Sequence, residues 1–137
     1  MKKLVRSWRV LGNTLLVELV GGVRARGPIM DVLTTLTYGP VIQIDASLGT
    51  HCVVSITDAV AFSFAAPLNP PPAGMTQDIW VTARNVSGGA HGAGAWNAVF
   101  KAPAFPAIAN NNQRTFAFRW DGANWVQFLS PATDVPV

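Results

Sequence analysis

Arg114-Thr115-Phe116-Ala117-Phe118-Arg119-Trp120-Asp121-Gly122-Ala123-Asn124-Trp125-Val126-Gln127-Phe128-Leu129 is the stretch on which the fold turns. Phe116, Phe118 and Trp120 alternate with Thr115, Ala117 and Arg119, so a strand here carries three aromatics on one face. Asp121-Gly122-Ala123-Asn124 follows, and Gly and Asn accept the backbone angles a tight turn needs. Trp125 to Leu129 then runs back as a second strand, completing a β-hairpin. Its aromatic face is too apolar to stay wet, so a second sheet is expected to cover it.

Upstream, the same punctuation repeats. Residues 29–37 read as a strand ended by Tyr38-Gly39-Pro40, and Val41 to Ile44 as a short extended piece. Residues 45–50 form a turn. His51 to Thr57 is a strand with Cys52, Val54 and Ile56 on one face, and Ala61 to Ala65 pairs Phe62 with Phe64. Pro67, Pro70, Pro71 and Pro72 exclude a central strand, because proline donates nothing to a ladder. Gln77 to Arg84 is a strand with Trp80 opposite Ile79, Val81 and Ala83. Residues 85–94 are a glycine-rich loop, Trp96 to Lys101 a strand, and residues 103–113 a loop. About seven short strands at roughly 10–15-residue spacing predict an all-β fold, an antiparallel β-sandwich of jelly-roll type.

Residues 1–28 stand apart as an N-terminal extended arm or docking segment, leaving 29–137 as the sandwich domain. Leu4, Trp8, Leu11 and Leu15 would suit a helix face. Gly12-Asn13 between apolar runs would suit a hairpin turn, and the valines favour strand. Lys2-Lys3 before an apolar stretch imitates a leader, but Arg6, Arg9, Asn13 and Glu18 interrupt it and no small-x-small site follows. No apolar run is long enough for a helical membrane span, so no membrane association is expected.

Only 12% of the 137 residues are charged, about half the usual share for a globular domain. A surface this poor in charge suggests cover by other subunits. The basic excess lies in residues 1–37, with six Lys and Arg against two acidic residues; residues 38–137 carry four against five. Lys2, Lys3, Arg6 and Arg9, with Trp8 among them, are the interface candidates of the arm. The arm has no dense basic run, so nucleic acid is not the expected partner. A single cysteine, Cys52, excludes an intrachain disulfide.

From residue 42 onward the chain resembles a β-sandwich module of tailed-bacteriophage virion structural proteins. The resemblance runs in order through Asp45-Ala46-Ser47-Leu48-Gly49-Thr50-His51, Asp58-Ala59 with Ala61-Phe62, and Pro67 with Asn69-Pro70. It continues through Asn85, Ser87-Gly88-Gly89-Ala90, Trp96-Asn97-Ala98-Val99-Phe100-Lys101, Phe116, Phe118, Asp121-Gly122 and Asn124-Trp125-Val126. Pro70-Pro71-Pro72-Ala73 and Asn110-Asn111-Asn112 depart from the pattern, both in loops. The resemblance implies a virion component of head decoration, head fibre or tail fibre type, multimeric and commonly a homotrimer.

No catalytic constellation is visible. Two histidines, one cysteine and scattered aspartates do not make a metal site or a nucleophile–base–orienter set, and no cofactor is expected. Glu18 is the only glutamate, which argues against a glycosidase couple. Trp80, facing away from its apolar neighbours, is an interface candidate or a sugar platform. His91, within Gly88-Gly89-Ala90-His91-Gly92-Ala93-Gly94, is a second interface candidate, although glycines also simply ease a long loop.

The expected protein is a non-enzymatic capsid decoration (cement) protein, located in the virion and assembled in the host cytoplasm. Its partners would be itself and other virion proteins such as the major capsid protein. The second expectation is a tail or head fibre, or a receptor- or glycan-binding module, whose partner would be a host-surface glycan. A small hydrolase is the third and least supported.

Overall fold

The computed structural model describes residues 5–11, 14–19 and 24–28 as backbone strands, and residues 32–129 and 133–137 in full. The chain divides into two compact units, Met1–Asp31 and Val32–Val137. In the first unit β1 (Val5–Leu11), β2 (Thr14–Leu19) and β3 (Arg24–Pro28) form an antiparallel sheet in that order. Leu11 pairs with Thr14, the register that a two-residue connection at Gly12-Asn13 demands. Strand thus prevails over helix, as the valines favour. Lys2 and Lys3 lie outside the described residues, as do the side chains of Arg6, Trp8 and Arg9 on β1.

The second unit is all-β: its described residues hold no α-helix, only a 3-10 turn at Ala46–Leu48 capped by the Asp45 carboxylate. Its strands are β4 (Leu33–Thr35), β5 (Val41–Ile42), β6 (His51–Ile56), β7 (Phe62–Phe64) and β8 (Asp78–Asn85). Then follow β9 (Gly94–Trp96), β10 (Phe100–Lys101), β11 (Asn112–Trp120), β12 (Trp125–Leu129) and β13 (Val135–Pro136). The larger sheet has the order β10-β12-β11-β8-β6-β4, with β13 also on β11; the smaller has the order β5-β7-β9.

The expected antiparallel arrangement is corrected by these pairings. From β4 to β10 the chain alternates between the two sheets, and β4–β6, β6–β8, β5–β7 and β7–β9 are all parallel. The physical reason lies in the connections. Two strands joined by a tight turn must pair antiparallel, but parallel strands need a crossover. Here each crossover is a strand of the opposite sheet, reached through loops such as Tyr38-Gly39-Pro40 and the proline-rich 67–72 stretch, which cannot close a two-residue hairpin.

The 114–129 hairpin departs from this winding. β11 pairs antiparallel with β8 on one edge and with β12 on the other, and β12 pairs parallel with β10. The hairpin therefore fills the space between β8 and β10, which run in the same direction. Its turn is held by Asp121, whose carboxylate accepts from the Ala123 and Asn124 amides at 2.9 and 2.7 Å. Gly122 takes a φ of +104° there, a conformation that favours glycine.

The expected cover over the aromatic face is the smaller sheet. Phe116, Phe118, Ile79, Val81, Val54 and Trp125 of the larger sheet share one buried cluster with Ile42, Phe62 and Phe64 of the smaller. Trp96 joins the two layers: its ring lies 4.5 Å from Phe64, 5.3 Å from Phe116 and 5.0 Å from Phe118, centroid to centroid. Aromatic pairs at these separations add to the plain burial of their area.

Trp96 to Lys101 is not one strand, as its alternation suggested. The Asn97 side chain accepts from the Val99 amide at 3.0 Å, and the Phe100 amide donates to the Asn97 carbonyl at 2.9 Å. That Asx turn ends β9 in one sheet and starts β10 in the other.

Candidate functional site

The larger sheet has one face in the core and one outside it. Along β8, Ile79, Val81, Ala83 and Asn85 are buried while Asp78, Trp80, Thr82 and Arg84 are partly exposed. Register carries one row across the outer face: Leu33, His51, Trp80, Ala117 and Leu129 are successive partners on β4, β6, β8, β11 and β12. Cross-strand neighbours on one face touch, so this row is a physical band. The His51 ring is parallel to Trp80 with centroids 5.8 Å apart, and Phe128 meets Trp80 edge-on at 5.9 Å.

A polar pair borders the band. Arg119 donates through Nε and Nη2 to the two oxygens of Asp78 at 2.7 and 2.8 Å. The two residues are partners across β8 and β11, so the sheet itself aligns the fork with the carboxylate. The guanidinium carbon sits 5.0 Å from the centre of the Phe128 ring, a cation–π distance. Asp78 holds the Arg119 guanidinium above its already high ordinary value. The charge of one residue is thus matched by that of the other.

Beside Trp80 lies a shallow groove lined by Thr50, Thr76, Gln77, Asp78, Trp80 and Arg119. Its rim is tied to the backbone. Thr76 Oγ1 donates to the Trp120 carbonyl and Gln77 Nε2 to the Ala46 carbonyl, both at 2.8 Å. The Trp80 amide donates to the Thr50 carbonyl at 2.7 Å. These bonds leave the groove with a set shape.

His91 lies elsewhere, in the loop between β8 and β9. Its Nδ1 is 2.6 Å from the Gly92 carbonyl, and its Nε2 accepts from the Ile108 amide at 2.9 Å. With Nε2 accepting from the Ile108 amide, Nδ1 is the nitrogen placed to donate to the Gly92 carbonyl. Nε2 ties this loop to the 103–111 loop, while Nδ1 bonds within the loop itself. Asn85, fully buried, does the same: its Nδ2 donates to Gly89 and Ile108 carbonyls at 2.9 and 2.8 Å, and its Oδ1 accepts from Ser87. A side chain satisfied on every polar atom can sit in a core at little cost.

The loop glycines have a steric reason beyond easing the loop. A β-carbon at Gly92 would overlap the Val60 carbonyl, and one at Gly94 would press on the Phe105 and Phe62 rings.

Among the described residues no group of three or more His, Cys, Asp or Glu could hold a metal ion. Cys52 is buried, and desolvation pushes its thiol up to about 11, so at neutral pH it is protonated and a poor nucleophile. Among the same residues no helix is long and apolar enough to cross a membrane.

Of the residues singled out from sequence, Trp80 stands in the outer band and His91 in the loop tie; the structure does not bring the two together. Asp78, Arg119 and Phe128 were not foreseen. Asp78 and Arg119 are 41 positions apart and meet only through the β8–β11 register. The register of β11 and β12 shifts between Ala117 and Phe118, which disturbs the simple alternation that would have placed Phe128. No family model matches the chain, and neither a curated protein nor a solved structure matches it.

Proposed function

We propose that this is a non-enzymatic structural protein of a tailed-phage virion, a capsid decoration protein that multimerises and docks through its N-terminal segment. The finer architecture of that reading is a β-sandwich carrying an N-terminal arm. Two sheets facing one aromatic core support it, as does the ordered resemblance from residue 42 onward.

One observation carries the reading. Among the described residues the winding is open at its first turn, where β4 and β5 are the end strands of their sheets. Val32, Leu33, Val41 and Leu48 are 63%, 63%, 61% and 56% exposed there. A groove bounded by Thr34, Tyr38, Val41, Gln43 and Leu48 lies between the two edges. Unpaired strand edges with aliphatic side chains accept further strands unless something covers them. Cover by a second copy within a trimer removes those aliphatics from water, and association of that kind adds stability by mass action. The basic residues Lys2, Lys3, Arg6 and Arg9 would then meet an acidic groove of the major capsid protein.

The test is the mass of the full chain in solution, by light scattering, at two salt concentrations. A salt-resistant trimer that becomes monomeric in Val41→Lys supports the reading. A monomer at every concentration, with no retention on capsids, counts against it. A second reading, a tail or head fibre or another glycan-binding module, is favoured by the groove beside Trp80.

A further inference from the structure

We propose that the groove beside Trp80 is a subsite for a neutral pyranose sugar, with Trp80 as the stacking platform and the Asp78–Arg119 pair as the hydroxyl-binding edge. This deepens the second reading above and does not depend on the multimer.

Three features argue for that ligand class. Trp80 is partly exposed and lines the groove; the His51 ring stacks parallel to it and Phe128 meets it edge-on. A ring held in place loses little freedom when a ligand stacks on it. The apolar C–H face of a pyranose suits such a surface, since aromatic side chains offer a large contact of low polarity.

The polar edge suits hydroxyls. A carboxylate accepts and a guanidinium donates, and here they sit side by side at 2.7 Å. Vicinal hydroxyls of a sugar present donor and acceptor at a similar spacing. Thr50, Thr76 and Gln77 extend the same polar wall.

The balance of charge excludes the competing ligands. Arg119 is the only cation among the six lining residues and Asp78 the only anion, so the groove is neutral overall. A phosphate, a nucleic acid or a sialylated glycan would need Arg119 without its partner. The open, shallow shape also suits a chain of sugars passing across it better than an anchored peptide side chain, which takes a pocket.

The test uses the full chain on a printed array of neutral and acidic oligosaccharides, followed by titration of the strongest hit. Two variants accompany it. Trp80→Ala removes the platform; Arg119→Lys, at a side chain 59% exposed, leaves packing intact but destroys the fork. The expected result is binding to neutral hexose oligomers, weakened about tenfold or more in Trp80→Ala and severalfold in Arg119→Lys. A blank array, binding to acidic glycans alone, or hits that both variants retain at full affinity would overturn the proposal. Because the first turn of the winding is untouched by either variant, failure here leaves the light-scattering result standing, and the reverse also holds.

Discussion

Gly92 packs so closely on the carbonyl group of Val60 that no other residue fits at its position. The approach brings the 86–93 loop against the turn between β6 and β7, two segments of successive turns of the winding. Gly92→Ala must push backbone apart, and the neighbour is a carbonyl rather than a flexible side chain. Overpacking of this sort costs about 1–3 kcal/mol. Denaturant unfolding should show that loss, whereas Gly88→Asn, with open space around it, should cost less, only the backbone strain of an asparagine at a φ of +83°.

Among the described residues Trp125 is the largest fully buried side chain, 5.2 Å from Trp120 across the hairpin. Trp125→Ala should lower the unfolding free energy by about 3–5 kcal/mol. A loss below about 1 kcal/mol in the same measurement would contradict the placement of this ring in the core.

Asn85→Ala should also destabilise the protein despite the small change in volume. It strands the Ile108 carbonyl in a buried setting, and an unsatisfied buried group costs about 1–3 kcal/mol. Hydrogen exchange should report the damage as faster exchange of the Ile108 and Ser87 amides. Protection equal to the native chain would show that the two loops are held by other means.

The Cys52 thiol should be silent toward a disulfide reagent in the native state at pH 8, because burial blocks access and pushes the thiol up to about 11. Full reaction is expected once denaturant unfolds the chain. Rapid native labelling would show that β6 opens locally on the timescale of the assay.

Acid should destabilise the protein below about pH 4. Asp45 is held under its ordinary value of 3.8 by hydrogen bonds from the Ser47 hydroxyl first, then from Asn69 and the Ser47 amide. Asp121 is held under its own by the Asn124 and Ala123 amides. A carboxylate whose folded value is depressed binds protons more readily when unfolded. Its stabilisation is therefore complete above 3.8 and is lost as pH falls through the folded value. A thermal melt series from pH 6 to pH 2 should show this fall, with a shallower slope in the Asp45→Asn, Asp121→Asn double variant. An unchanged slope would place the acid sensitivity in other carboxylates.

The sequence by itself determined the all-β class, the hairpin at 114–129 and the aromatic side of its first strand. These are local matters: alternation sorts side chains to two faces within one strand, and Asp121-Gly122 specifies a turn within a few bonds. The proline-rich 67–72 loop and the burial of Cys52, Val54 and Ile56 were legible for the same reason. Tertiary structure alone decided the direction of pairing. Whether β6 meets β7 or β8 depends on which partner buries more apolar surface, a comparison between segments far apart in the chain. It also decided the candidate site, because the register of β8 on β11 joins Asp78 to Arg119 and sets Trp80 opposite Ala117. A period of two places a side chain on a face, but only the pairing of strands says which side chain of another strand stands beside it.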